Sequence, residues 1–278
     1  MHYGIKGLIF LLLSCFILTA TSCIEAVEPG PTAVDFTKEK RELLGDLLKT
    51  TIEQTSEFTI LDRQSKRDSV IVNYLQTLYD QVTQEIRPDR LSNPSNRWNP
   101  EREWQVIVLQ DDTRYAFSLP GGHFYVSTGF LGSLSRGYEI YYLMAFEAIN
   151  ISERYLVNNL IAEYGTATLL DVLDSEEASV DPSLEDIVQL LIEDISFRDS
   201  EIREIDQKTG ELICETSIFD RFGIQPILEI ISSDAQEQYR DTRPSYANRV
   251  EYISELPIDG CGTIKSTGLY EKMVLDNL

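Results

Sequence analysis

Histidine is almost missing from this chain: among 278 residues there are two, His2 and His123. A catalytic zinc site built on two imidazoles and a carboxylate needs both rings in the folded domain. His2 falls in a segment that reads as removable, so that chemistry is excluded in any register. Basic side chains are scarce as well, 24 Lys and Arg against 46 Asp and Glu, for a net charge of −22. Phosphate backbones are bound by clustered cations, and a nucleic-acid partner is therefore excluded. Cysteines number four and methionines three. The apolar run Leu8–Leu18 is shorter than the roughly 20 residues that span a bilayer, which excludes it as a membrane helix.

What the N-terminus does contain is the order of an export signal. Lys6 supplies a positive charge, the apolar run follows, and Thr19-Ala20-Thr21-Ser22 leads into Cys23. The ending resembles a bacterial lipoprotein signal in which Cys23 is lipidated and becomes the first residue; Ala20 stands where leucine is usual. An ordinary secretory signal is the alternative. Residues 1–22 are thus expected to be a signal peptide, 23–35 a lipidated tether rich in Pro and Gly, and 36–278 one domain. With Cys15 removed and Cys23 lipidated, Cys214 and Cys261 remain. In an exported protein they are expected to pair, two unpaired thiols being the alternative.

Hydrophobic periodicity predicts helices over Phe36–Glu53, with Thr37 as N-cap, and over Ser65–Glu85, both with a broad apolar stripe. Arg87–Arg102 reads as a loop. Strands are expected at Trp104–Leu109, Arg114–Leu119 and His123–Thr128, the last two joined by Pro120-Gly121-Gly122. A helix over Tyr138–Ile161 and another over Thr166–Leu173 precede an acidic loop, Asp174–Pro182. Helix is expected again over Leu184–Phe222, interrupted near Gly210, then at Pro226–Ser232, Arg249–Ser254 and Leu269–Leu278. Helices around one small sheet make an α+β, mainly helical domain.

The run Ala116-Phe117-Ser118-Leu119-Pro120-Gly121-Gly122-His123-Phe124-Tyr125-Val126-Ser127-Thr128-Gly129, with a long helix after it, resembles one family of zinc metallopeptidases. These are the gluzincins that include the CAAX prenyl endopeptidases, the HtpX-type proteases and the outer-membrane-assembly peptidases. Tyr115 departs from the family's asparagine. The resemblance covers nearly all of residues 36–278 and implies a zincin-like fold, with a small antiparallel sheet beside the zinc helix. It also implies that substrate lies along an edge strand, for which His123–Thr128 is the candidate.

The same resemblance places Phe146-Glu147-Ala148-Ile149-Asn150 where the family carries His-Glu-x-x-His. Glu147 keeps the general-base position, while Phe146 and Asn150 replace both histidine ligands. Arg198–Asp206 aligns with the family's downstream segment through Glu204 and Asp206, which puts Ile202 at the third ligand; a one-residue shift would offer Glu201. Thr242-Arg243-Pro244 stands for Thr-His-Pro, with Arg243 for histidine. Zinc, the family's cofactor, is therefore expected to be lost, leaving no metal or other cofactor, and Arg243 is expected to pair with Glu147. Phe146 is expected to fill the former metal cavity with Tyr141, Tyr142, Leu143 and Ile149. Asp199, Glu201 and Glu204 read as a solvated face, and His123 as a structural residue of an edge strand.

These readings lead to a catalytically inactive, metallopeptidase-like lipoprotein of a Gram-negative outer membrane, facing the periplasm or the cell surface. It is expected to bind a polypeptide or an envelope protein. The alternative is an active metalloendopeptidase with a non-standard metal site using Glu147 together with Glu201 and Glu204. A third reading is a purely structural lipoprotein whose groove has closed around Phe146.

Overall fold

Thr37 starts the first helix by accepting a hydrogen bond from the Lys40 amide at 3.4 Å, and α1 runs Lys38–Gln54, burying Leu44, Leu48 and Ile52. Ser65 does the same for α2, Lys66–Glu85, through the Asp68 amide. That helix buries Ile71, Leu75, Leu78, Tyr79 and Val82 on one stripe, the 3.6-residue spacing that the sequence carries. Both elements come from a computed structural model that describes residues 36–86, 89, 91–93, 103–174, 182–193, 197–216, 249 and 268–278. The signal, the tether with Cys23, the segment Pro226–Ser232, Arg243, Cys261 and all but Arg249 of the expected helix Arg249–Ser254 lie outside the described residues.

Three strands follow: β1 (Gln105–Leu109), β2 (Ala116–Leu119) and β3 (His123–Ser127). β2 and β3 form an antiparallel hairpin through Pro120-Gly121-Gly122, with Phe117 stacked on Tyr125 across the pair at 4.8 Å. β1 lies on the other side of β3 and runs parallel to it. Two expectations are corrected here. The sheet is mixed, not antiparallel, and β3 is its central strand, not an edge. The hairpin occupies only one side of β3, and the other accepts β1 in the parallel sense.

Neither outer strand offers an open ladder along its described length. The Val106 amide donates to the Gln76 side chain at 2.9 Å, and the Leu61 amide donates to the Val108 carbonyl at 2.9 Å. The Gln110 amide donates to the Thr59 carbonyl at 2.7 Å. Every residue of β2 is buried. The Gly-Gly turn is held on two sides. Gly122 has φ +103°, and a Cβ there would meet the Trp104 indole at 2.5 Å. Gly45 on α1 lets the Pro120 carbonyl come against the helix backbone, a position that no larger residue could take without displacing it.

A short helix, α3 (Thr128–Ser133), leaves β3 directly, capped by the Ser127 hydroxyl, which accepts from the Phe130 amide at 3.0 Å. Then comes α4, Gly137–Ser152, whose residues are all buried except Gly137 and Ile151. A helix apolar on every side belongs at the centre, and α4 packs against α2, against β2 and against α8 (Asp199–Thr216). Its first turn is closed by Glu139, whose carboxylate accepts from the Ser135 and Arg136 amides at 2.6 and 3.0 Å.

The single helix expected over Tyr138–Ile161 is in fact two. Arg154 adopts φ 70°, which turns the chain between α4 and α5 (Tyr155–Tyr164). Neither glycine nor proline marks the break in the sequence. α6 (Thr166–Asp174) and α7 (Leu184–Glu193) follow, and α7 packs beside α1 and β2. The interruption expected near Gly210 is also corrected, because Gly210 lies inside α8. One glycine costs a helix about 1 kcal/mol, and burial of Ile205, Thr209, Leu212 and Ile213 on the same element outweighs it. The described chain closes with α9 (Leu269–Met273) and a 3₁₀ turn, Leu275–Asn277. Among the described residues no helix is long and apolar enough to cross a membrane.

Candidate functional site

Glu147 lies on the face of α4 that meets β2. Its carboxylate is 2% exposed and accepts hydrogen bonds from the Ser118 hydroxyl and, at 3.5 Å, from the Asn150 side-chain amide. Ser118 is placed by the strand register opposite Phe124, in the middle of the hairpin. Tyr79 comes in from α2: burial first, and the Glu147 charge in addition, hold its phenol well above the ordinary tyrosine range. The Tyr79 hydroxyl and the Asn150 Oδ1 are both buried without a partner among the described residues. Glu147 is thus walled in by a strand, a neighbouring helix and its own helix.

A second group of side chains lies between α4 and α8. Asp206, fully buried, accepts from Arg249 Nε at 2.9 Å and Nη2 at 2.6 Å, and from the Tyr142 hydroxyl at 3.1 Å. The Arg249 guanidinium also sits 5.1 Å from the centre of the Phe146 ring. Tyr142 and Phe146 are one helical turn apart, so they present to the same neighbour. This fork geometry satisfies both carboxylate oxygens of Asp206 and covers the ring with a cation.

Phe146 and Ile202 are buried in the hydrophobic core, alongside Tyr141, Tyr142, Leu143 and Ile149. Neither carries a donor atom for a metal. Asn150 turns its amide nitrogen toward Glu147, and a neutral amide oxygen is a poor zinc ligand. This donor set does not fit a zinc ion, and no step of chemistry is routed through one. No group of three or more His, Cys, Asp or Glu side chains suited to a metal occurs among the described residues.

Of the three acids at the start of α8 expected on a solvated face, Asp199 is exposed and the Glu204 side chain is 43% exposed, but Glu201 is not. Glu201 is 4% exposed and accepts from the Arg198 amide at 2.9 Å, Arg198 Nη2 at 2.5 Å and Asn159 at 3.3 Å. Burial pushes its carboxyl up, but the Arg198 and Asn159 hydrogen bonds outweigh this and hold it below the usual range. Glu204 is held low chiefly by its hydrogen bond from Tyr155, with Lys208 and Ser92 adding to it. Lys208 also bonds the buried Glu153 carboxylate.

His123 is buried in the central strand with Nε2 3.2 Å from an Asp46 carboxylate oxygen, a structural contact between β3 and α1. Cys214 is buried near the end of α8, and its expected partner Cys261 lies outside the described residues, as does Arg243. Sequence reading therefore missed Ser118, the hydrogen bond from Tyr142 to Asp206 and the pairing of Arg249 with Asp206. A polar residue amid the apolar strand Ala116–Leu119 was the available signal for Ser118. No family model matches the chain, and no curated protein matches it either.

Proposed function

We propose that this chain is a non-catalytic, zincin-like lipoprotein of the cell envelope, held to the membrane through Cys23 and acting by binding a protein partner. The observation that carries the reading is the state of Glu147. Its carboxylate is buried and hydrogen-bonded by Ser118 and Asn150, while the flanking ligand positions are Phe146 and Ile202 in packed core. A general base has to reach water and substrate, and this carboxylate is only 2% exposed.

The acids that an active, non-standard metal site would recruit also favour the inert reading. Glu201 is engaged by Arg198 and Asn159, and Glu204 by Lys208 and Ser92. Strand addition at the sheet is disfavoured, because β3 is central, β2 is buried and the outer side of β1 is hydrogen-bonded. The partner is therefore taken up on another surface.

Unfolded casein, incubated with the purified protein and added zinc, manganese or cobalt, is the test. The expected result is no cleavage above that of the Glu147→Gln variant. Cleavage that disappears in that variant would overturn the proposal. The binding half is read by crosslinking the lipidated protein in its native envelope and identifying a stoichiometric protein adduct.

A further inference from the structure

The end of α4 and the middle of α8 are joined by a lysine and a glutamate that are both withdrawn from solvent. Glu153 follows the last turn of α4, and its Oε1 is in direct contact with Lys208 Nζ. The two side chains are 2% and 17% exposed, whereas the pair Lys49–Glu53 on α1 is 24% and 41% exposed. The Ser92 amide, from the connection before β1, donates to the same Glu153 Oε1 at 2.9 Å. Lys208 Nζ also donates to the Ser92 hydroxyl at 2.5 Å and lies 3.2 Å from Glu204 Oε1. That hydroxyl donates in turn to Glu204 at 3.2 Å. A buried ion pair recovers little of the cost of desolvating its charges. This one holds, in addition, each part that amide formation needs: an amine, a carboxyl carbon, a backbone N–H on the carboxyl oxygen, and a second carboxylate beside the amine.

We propose that Lys208 and Glu153 condense into an intramolecular isopeptide bond, a covalent link that the chain makes for itself between α4 and α8. Nζ frees its lone pair by passing one proton to Glu204, directly or through the Ser92 hydroxyl. A C–N bond forms at Glu153 Cδ, and the charge that collects on Oε1 is held by the Ser92 N–H. The Cδ–Oε2 bond then breaks, and Oε2 leaves as water with two of the three Nζ protons. One ammonium and one carboxylate thus become one amide and one water, with no oxidant, cofactor or other co-reactant. Groups fixed in contact react as if at very high concentration, and burial leaves little water at hand to reverse the step. The bond forms once per chain, requires no substrate, and is independent of Glu147.

Tryptic digestion of the purified protein, read by mass spectrometry, is the test. The expected result is no cleavage after Lys208 and a branched peptide that contains both residues. That peptide should be one water lighter than its two parts, about 18 Da. Lys208→Arg keeps the positive charge but not the amine, so Glu153 should return in an ordinary linear peptide. Glu204→Gln removes the proton acceptor and should leave most chains unlinked, while circular dichroism shows them folded. The proposal falls if cleavage after Lys208 is complete and both residues are recovered unmodified, which leaves an ordinary buried ion pair. It falls equally if Glu204→Gln links as fully as the parent, or if Lys208 is found joined to a different residue.

Discussion

Ser118 is the side chain that ties the Glu147 carboxylate to the sheet, and it does so from the middle of an otherwise apolar strand. Removing its hydroxyl takes a donor from a buried carboxylate, a loss worth about 1–3 kcal/mol. In a domain of this size each kcal/mol moves the melting temperature by roughly 2–4 °C, so Ser118→Ala is expected to melt several degrees below the parent protein. Unchanged melting, followed by circular dichroism, would mean that the bond contributes nothing. The same residue separates two roles for Glu147. A base held ready for catalysis would be freed by this substitution, whereas a buried structural acid is only destabilised, so no activity should appear.

At the scale of elements, α8 depends on how its first turn is closed. Glu201 reaches back to the Arg198 amide, as the third residue of a capping box does, and also binds the Arg198 guanidinium. Its folded carboxyl lies below the ordinary value of 4.5. A depressed acid stabilises the fold above its unfolded value, and that contribution is lost as pH falls through the folded value. Glu201→Gln is therefore expected to be less stable than the parent at pH 7. The gap should narrow steadily below pH 4.5, as denaturant titrations at several pH values would record. A gap that stays constant down to acid would show that the charge is not the source of the stabilisation.

Much of this element scale was legible beforehand. Thr37 marked the start of α1 because short polar side chains cap helices, periodicity alone placed the start of α2 at Ser65, and the strands alternated as strands do. The break at Arg154 was not legible, since a left-handed residue other than glycine leaves no local signal. Strand order was not legible either. Periodicity says which residues form a strand, but only tertiary packing decides that β1 takes the far side of β3. In the candidate site, that Phe146 and Ile202 carry no metal donor could be read from the sequence. Which cation meets which acid could not, and the pair brought together among the described residues is Arg249 with Asp206.

For the molecule as a whole, that pair matters more than its size suggests, because it fastens residue 249 to the junction of α4 and α8. Both side chains are buried, and Tyr142 and Phe146 close the contact from α4. Breaking one partner leaves an uncompensated charge in the interior, which costs about 3–5 kcal/mol. Asp206→Ala and Arg249→Ala are each expected to lose that much, a large part of the roughly 5–15 kcal/mol that holds a typical domain. Replacing both by apolar residues of similar length, Asp206→Leu with Arg249→Met, removes charge and counter-charge together. Residues in direct contact do not add, so the double variant should be much more stable than the sum of the single losses implies. Urea unfolding of all three gives the coupling directly. If the double variant loses the full sum, the two groups act independently and the C-terminal segment is held by other contacts. If it recovers most of the loss, the fold needs this position filled and neutral rather than charged.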